Sequence, residues 1–323
     1  MEVHPPDRPL RLLLVDGHYY LYRSFFAIRG LSNSKGEPTN AIYGFLKALR
    51  RMLADVRPDF AAVVWDAGLP EHRTELHPEY KQNRDEMPDD LEVQQEPLRE
   101  TIPLLGVTNV LLEGTEADDL IASYVSEARR SGISCVVATN DKDILQLVGE
   151  GVSVYSSGSA AGGTGFRLLG VPEVREKWGV DPGLIGDILA LTGDASDNIP
   201  GIPGVGEKTA AKWINRFGSL DGLLARAGED PKIFEKLDPH RELVLRNRKM
   251  VELVLDLPLP EPISGFSVAP RYPELISALK DFEFRSLCVE VERDASAAGL
   301  AGIEPSPQVV ATATPPSQGE LFA

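Results

Sequence analysis

Aspartates recur in this chain where an apolar run ends. Asp16 closes "LRLLLVD", Asp66 closes "FAAVVWD", and Asp141 and Asp143 finish or follow "ISCVVATND". If these runs are strands of an open α/β sheet, their carboxyl ends border the ligand crevice and bring the acids to one edge. A fourth group, "GTEADDL", places Glu116, Asp118 and Asp119 behind Thr115. Thr115 is a candidate helix cap and acids in a first turn suit the helix dipole, so capping and chemistry are equally open readings of this group. A fifth group, "LTGDASDN", contributes Asp194 and Asp197, alone an ordinary polar turn.

Gathered on one sheet edge, these carboxylates would repel each other severely without cations. Metal binding is the economical explanation. The candidate ligands are hard oxygens with no His or Cys among them, a set that selects Mg²⁺ or Mn²⁺ over Zn²⁺. Two such ions are the usual device for phosphodiester hydrolysis. A single-metal phosphatase that begins Asp-x-Asp fits poorly, because "VDGHYY" has no second Asp.

Two further stretches bear on phosphate. "IPGIPGVGEKTAAKW" sets Gly204, Gly206 and Lys208 where a glycine hairpin meets a helix N-terminus, so bare backbone amides can approach a phosphate. Beside a nuclease-like metal site this predicts a sequence-independent clamp on a DNA backbone. "EHRTELHPEYKQNRDEMPDD" carries Arg73, Tyr80, Lys81 and Arg84 in a segment long for a surface connection, and such loops tend to be functional. Lys81 and Arg84 would share a face if the segment is helical.

The elements that must position these groups alternate. Strands are predicted at 10–16, 60–66, 107–112, 133–141 and 152–155, with helical spacing in Ile42, Phe45, Leu46, Leu49, Met52 and Leu53 and again in Leu120, Ile121, Tyr124, Val125 and Ala128. The expected fold class is α/β, a mainly parallel sheet flanked by helices, over residues 8–181. From 182 to 294 short helices separated by Gly and Pro take over, expected to pack on the first region. Beyond Asp294 only Glu304 and Glu320 are charged, and residues 295–323 are expected to be a disordered tail.

Composition sets bounds. With 323 residues and 42% apolar content the chain can fill a substantial core. It has no run of eighteen apolar residues and no signal-peptide layout at its start, so a soluble cytoplasmic protein is expected. Cys135 and Cys288 sit among apolar residues as reduced core thiols would. A net charge of −16 argues against nucleic acid unless the acids are clustered around cations, which leaves Lys and Arg to line another face.

In that order, "LLLVDGHYYLYRSFFA", "GEPTNAIYGFLKAL", "YKQNR", "EADDLIA", "TNDKDILQL" and "LTGDASDNIPGIPGVGEKTAAKW" make the chain resemble the 5′-nuclease domain of bacterial DNA polymerase I, within the flap endonuclease family, from about Arg11 to Glu292. The resemblance implies a PIN-like nuclease core, a helical arch over the active site and a helix-three-turn-helix module on duplex DNA. It implies two Mg²⁺ or Mn²⁺ ions, the first on Asp16, Asp66, Glu116 and Asp118, the second on Asp119, Asp141, Asp143, Asp194 and Asp197. By the resemblance Arg23, Lys81 and Arg84 would be catalytic phosphate contacts and Lys142 a DNA contact; the stretches read above add Arg73, Tyr80, Gly204, Gly206 and Lys208 as expected DNA contacts, with K⁺ a candidate at the glycine hairpin. His72, Trp65, Thr115 and Asn140 depart from the family's usual residues, and none of these positions is a metal ligand.

The expected activity is structure-specific 5′-3′ exonuclease and flap endonuclease cleavage of DNA in replication and repair, by a protein expected to be monomeric. A catalytically idle junction-binding protein and an RNA-directed nuclease are the competing readings. No polymerase sequence follows, so the chain, if complete, is expected to be a free-standing nuclease. "QGELF" near its end resembles the Gln-x-x-Leu-Phe peptide that docks on the bacterial sliding clamp, with Leu321 and Phe322 as anchors and Gln318 as the polar hook.

Overall fold

A computed structural model of the protein describes residues 8–156 and 166–300. Its centre is a six-stranded sheet of β1 (Arg11–Asp16), β2 (Phe60–Val64), β3 (Thr108–Val110), β4 (Ser134–Ala138), β5 (Val152–Ser156) and β6 (Arg167–Leu169), in the order β3-β2-β1-β4-β5-β6. The first five strands are parallel, and β6 closes the edge antiparallel to β5. The helices are α1 (Gly17–Ala27), α2 (Asn40–Val56), α3 (Glu71–Leu76), α4 (Asp89–Thr101), α5 (Ala117–Arg130), α6 (Val171–Trp178), α7 (Ile185–Thr192), α8 (Glu207–Phe217), α9 (Leu220–Arg226), α10 (Pro231–Leu237), α11 (Arg241–Val251), α12 (Tyr272–Asp281) and α13 (Arg285–Ala297).

The two-residue period of a strand sorts the core into two faces. Leu12, Leu14, Ala62, Val64, Cys135 and Val137 pack with Leu120, Ile121, Tyr124 and Val125 of α5, and beyond them with the buried sides of α7, α8 and α11. Leu13, Val15, Ala61, Val63, Val136 and Ala138 pack instead under Ile42, Phe45, Leu46 and Leu49 of α2. The same second cluster contains Leu275 and Leu279 of α12 and Leu287 and Val291 of α13. The chain beyond residue 182 therefore covers both faces of the sheet.

All five expected strands form, several of them shorter than expected. The stretch 107–112 pairs only at 108–110, where it meets β2, and β6 is an addition whose three residues are too few to show a pattern in sequence. Both cysteines are buried and free. Among the described residues no helix is long and apolar enough to cross a membrane.

β1 has neighbours on both sides, β2 and β4: the chain runs outward from β1 through β2 to β3, then crosses back to add β4 on the other side. Such a reversal opens a crevice at the carboxyl ends of the strands. Asp16 is the last residue of β1, while Asp66 and Asp141 lie just past β2 and β4.

Candidate active site

Each acid is held by its local fold. Asp16 caps α1, its Oδ1 accepting the Tyr19 N–H at 2.9 Å while Oδ2 accepts the Thr139 hydroxyl at 2.9 Å. Asp66 accepts the Ala117 N–H at 2.8 Å, tying the end of β2 to the start of α5, and its Oδ2 lies 3.0 Å from His18 Nδ1. Glu116 takes the N-cap position of α5 with 2% of its surface exposed. Thr115, expected as the cap, turns back to accept a different role: its hydroxyl donates to the Leu112 carbonyl at 2.7 Å. Asp143 N–H donates to Asp141 Oδ1 at 2.8 Å, stacking these two acids on one turn.

Asp194 and Asp197 come from the end of α7, where Gly193–Asp194 pairs with Ile199–Pro200. This hairpin is exceptionally tight. Gly193 has φ +67, and a Cβ on Gly201 would stand 1.9 Å from the Thr192 carbonyl oxygen, so both positions require glycine. Asp194 Oδ1 accepts the Ser196 N–H at 3.0 Å and lies 3.1 Å from Lys142 Nζ.

The carboxylates are strongly coupled. Burial, with Asp66 and Asp141 adding repulsion against the Tyr19 and Thr139 hydrogen bonds, raises Asp16 to about 6. Burial and then the charges of Asp141, Asp16 and Asp66 push Asp118 well above the usual carboxylate range. Burial and then Asp141, Asp194 and Asp197 do the same to Asp143, whose buried Oδ1 has no hydrogen-bond partner. Asp141 is also raised, burial first, and it faces both groups. Asp66 goes the other way: burial alone would raise it, but the hydrogen bond and charge of His18 and the Ala117 N–H bring it to about 2.

Two sets follow from these couplings, Asp16, Asp66 and Asp118 on one side and Asp143, Asp194 and Asp197 on the other, with Asp141 between them. As they stand, no three His, Cys, Asp or Glu side chains among the described residues form a group that could hold a metal ion. The donor chemistry nevertheless fits hard divalent cations. Buried oxygens that repel one another, one of them without a partner, are what such cations relieve.

The segment between α3 and α4 roofs the crevice, and it departs from expectation. Residues 78–83 form turns rather than a helix, with Lys81 at φ +57, so Lys81 and Arg84 share no helical face. Lys81 Nζ instead pairs with Glu116 and lies 3.7 Å from Asp197, and Arg84 Nη2 contacts Asp197 Oδ1 at 2.6 Å. Burial lowers Lys81, but Glu116 and Asp197 more than offset it and its affinity for a proton is raised. The roof is pinned by Lys81 N–H to the Asp197 carbonyl at 3.1 Å and by Asn83 to the Ala195 carbonyl at 2.8 Å.

Three of the candidates face other side chains of the protein. Tyr80, expected as a DNA contact, is buried and its hydroxyl donates toward Glu116 at 3.0 Å, facing the acids. Arg73 is 3% exposed and pairs with Glu116 and Asp119, so it offers no surface to DNA. Asp119, expected among the second metal's ligands, is 1% exposed with both oxygens engaged, because Arg73 contacts each at 2.8 Å and the Val254 N–H reaches Oδ1 at 3.0 Å.

The remaining candidates among the described residues keep accessible positions. Arg23 lies on α1 with Nη1 donating to the Tyr19 hydroxyl at 2.6 Å. Gly204, Gly206 and Lys208 are exposed while Ile202 and Val205 between and before them are buried, and Gly206 is the N-cap of α8. Gln318, Leu321 and Phe322 lie outside the described residues. Sequence reasoning missed His18 and Thr139, which orient Asp66 and Asp16; their nearness to strand-end acids was the only available signal.

An acid-lined crevice at the switch point of a parallel sheet, roofed by cations, defines a nuclease of the resolvase-like α/β class. A model of the 5′-3′ exonuclease N-terminal resolvase-like domain matches residues 11–179, and one of the 5′-3′ exonuclease C-terminal SAM fold matches residues 180–274. The chain belongs to the 5′-3′ exonuclease family.

DNA polymerase I of Chloroflexus aurantiacus is 35% identical over 320 residues, covering 97% of this chain and 34% of that relative. The chain thus spans about a third of the length of the curated relatives it matches. T5 5′-exonuclease bound to divalent zinc ions superposes with a TM-score of 0.63 at 20% identity, over 91% of this chain and 100% of that one. The bacteriophage T5 D15 flap endonuclease, in a pseudo-enzyme-product complex with DNA and metal ions, gives 0.60 at 22% identity, over 87% and 98%. These structural likenesses establish the fold.

Proposed function

We propose that the protein is a structure-specific DNA 5′-nuclease, acting as a 5′-3′ exonuclease and flap endonuclease in primer and flap removal during replication and in repair. The observation that carries this reading is the crevice of mutually repelling, half-buried to buried carboxylates beneath Lys81 and Arg84. Asp16, Asp66, Glu116 and Asp118 would hold one divalent ion, and Asp141, Asp143, Asp194 and Asp197 a second, with Mg²⁺ or Mn²⁺ the matching chemistry. When bound, such a pair supplies an activated water and charge stabilisation at the leaving oxygen.

The chain's own cations do the rest. Arg23, Lys81 and Arg84 hold the scissile phosphate and offset its charge, with Lys142 at the border of the second acid set. Gly204, Gly206 and Lys208, joined to the acids through the tight hairpin, grip the duplex backbone through exposed amides and one ammonium, with K⁺ at the hairpin as a bridging ion. Residues 8–181 form the catalytic unit and 182–294 the DNA-binding unit of a monomeric cytoplasmic protein. The terminal Gln318, Leu321 and Phe322 add a sliding-clamp contact that raises local concentration without entering the chemistry.

The test is a labelled 5′-flap duplex with Mg²⁺. Asp16→Ala and Asp141→Ala each abolish cleavage while DNA binding measured in Ca²⁺ persists, and EDTA silences the wild type. Undiminished turnover in either variant rejects the assignment. An RNA flap cleaved as fast as the DNA flap would move the substrate class to RNA.

A further inference from the structure

Arg73 has the most fully occupied side chain near the crevice. Nε donates to the Met250 carbonyl at 2.9 Å, Nη1 to Glu116 and to Asp119 Oδ2 at 2.8 Å, and Nη2 to Asp119 Oδ1 at 2.8 Å and the Glu252 carbonyl at 3.0 Å. Every N–H of the guanidinium therefore has a partner. The partners come from three places: the cap of α5, its first turn, and the carboxyl end of α11. Arg73 itself belongs to α3, at the base of the roof. Asp119 then continues the chain of contacts, accepting the Val254 N–H at 3.0 Å.

We propose that Arg73 is a positioning residue that fixes Glu116 in the crevice and couples it to the carboxyl end of α11, with Asp119 serving as its anchor and not as a metal ligand. This rests on the nuclease reading above. A planar fork is what the site needs. The guanidinium spans two carboxylates and two carbonyls at once, whereas an ammonium offers one point charge and cannot match that pattern. Removing the cation outright would leave Glu116 and Asp119 buried without a counter-charge, which is strongly destabilising. The informative changes therefore keep one charge in place.

The experiment uses the full chain with Arg73→Lys and Asp119→Asn, each checked by circular dichroism and urea unfolding. Mn²⁺ titration by calorimetry is the first readout and does not require cleavage. Arg73→Lys is expected to bind as many Mn²⁺ ions as wild type with affinity lowered about 10- to 100-fold, the usual cost of losing a group that orients a ligand. Asp119→Asn is expected to keep the ion count as well. The second readout is single-turnover flap cleavage. The rate falls by a similar factor in Arg73→Lys, the Mg²⁺ concentration at half-maximal rate rises, and DNA affinity in Ca²⁺ changes less than about twofold.

Loss of one bound ion in Asp119→Asn would return Asp119 to the ligand set and overturn the proposal. So would unchanged metal affinity and rate in a folded Arg73→Lys, which would make the contacts purely structural. A large loss of DNA affinity at an unchanged chemical rate would make Arg73 a DNA contact after all. Should Arg73→Lys fail to fold, the ion count of Asp119→Asn decides. A wild type that binds Mn²⁺ but cleaves no flap would instead reject the function and leave the metal-affinity comparison standing.

Discussion

At the residue scale the crevice is a balance of charges. Asp143 is the extreme member, half-buried among Asp141, Asp194 and Asp197 with a buried oxygen unpartnered. Asp143→Asn removes that charge, so it is expected to stabilise the metal-free protein in EDTA and to weaken stabilisation by Mg²⁺. For the wild type, Mg²⁺ at a hundred times its dissociation constant adds about 2.7 kcal/mol. Thermal unfolding with and without Mg²⁺ checks both parts; an undiminished Mg²⁺ effect in the variant would refute it. The acids themselves were legible in the sequence because residue type and strand-end position are local facts. Arg73 was legible as a candidate but its partners were not, because they lie 43 and 46 residues away and its burial depends on α11, which no local pattern shows.

Elements set the precision of the site. The hairpin behind Asp194 and Asp197 works because Gly193 and Gly201 let two backbones nearly touch. Gly201→Ala is expected to push Thr192 aside, costing about 1 to 3 kcal/mol of stability as overpacking does, and to lower flap cleavage by displacing both aspartates. Gly183→Ala, with open space around it, is the control and should stay within about 0.5 kcal/mol. Urea unfolding and single-turnover cleavage measure the pair. The five parallel strands were readable from apolar runs bounded by polar turns. The roof was readable only as a long functional loop, since a left-handed Lys81 is set by its hydrogen bond to the Asp197 carbonyl and not by its neighbours in sequence.

Over the whole molecule the net charge of −16 and the proposed DNA substrate are reconciled by segregation, acids in the crevice and cations on its roof and at the α8 hairpin. Lys208→Ala is therefore expected to weaken DNA binding several-fold regardless of base sequence and to reduce the slope of log affinity against log salt by about one. Anisotropy titrations across a salt series check it, and an unchanged slope would remove Lys208 from the phosphate contacts. Sequence periodicity separated a strand-rich half from a helical one. It did not reveal that α12 and α13 return to the far face of the sheet, because packing partners so distant leave no mark on local spacing.

That return has a consequence for how the chain assembles. β1 is made long before α13, yet Leu13 and Val15 share their cluster with Leu287 and Val291, and Arg50 of α2 holds Glu290 at 2.5 Å and Asp294 at 2.6 Å. A ribosome must deliver almost the entire described chain before that face is sealed. Until α13 is made, the nascent protein thus carries a half-covered apolar sheet, a long-range topology that slows folding and invites aggregation.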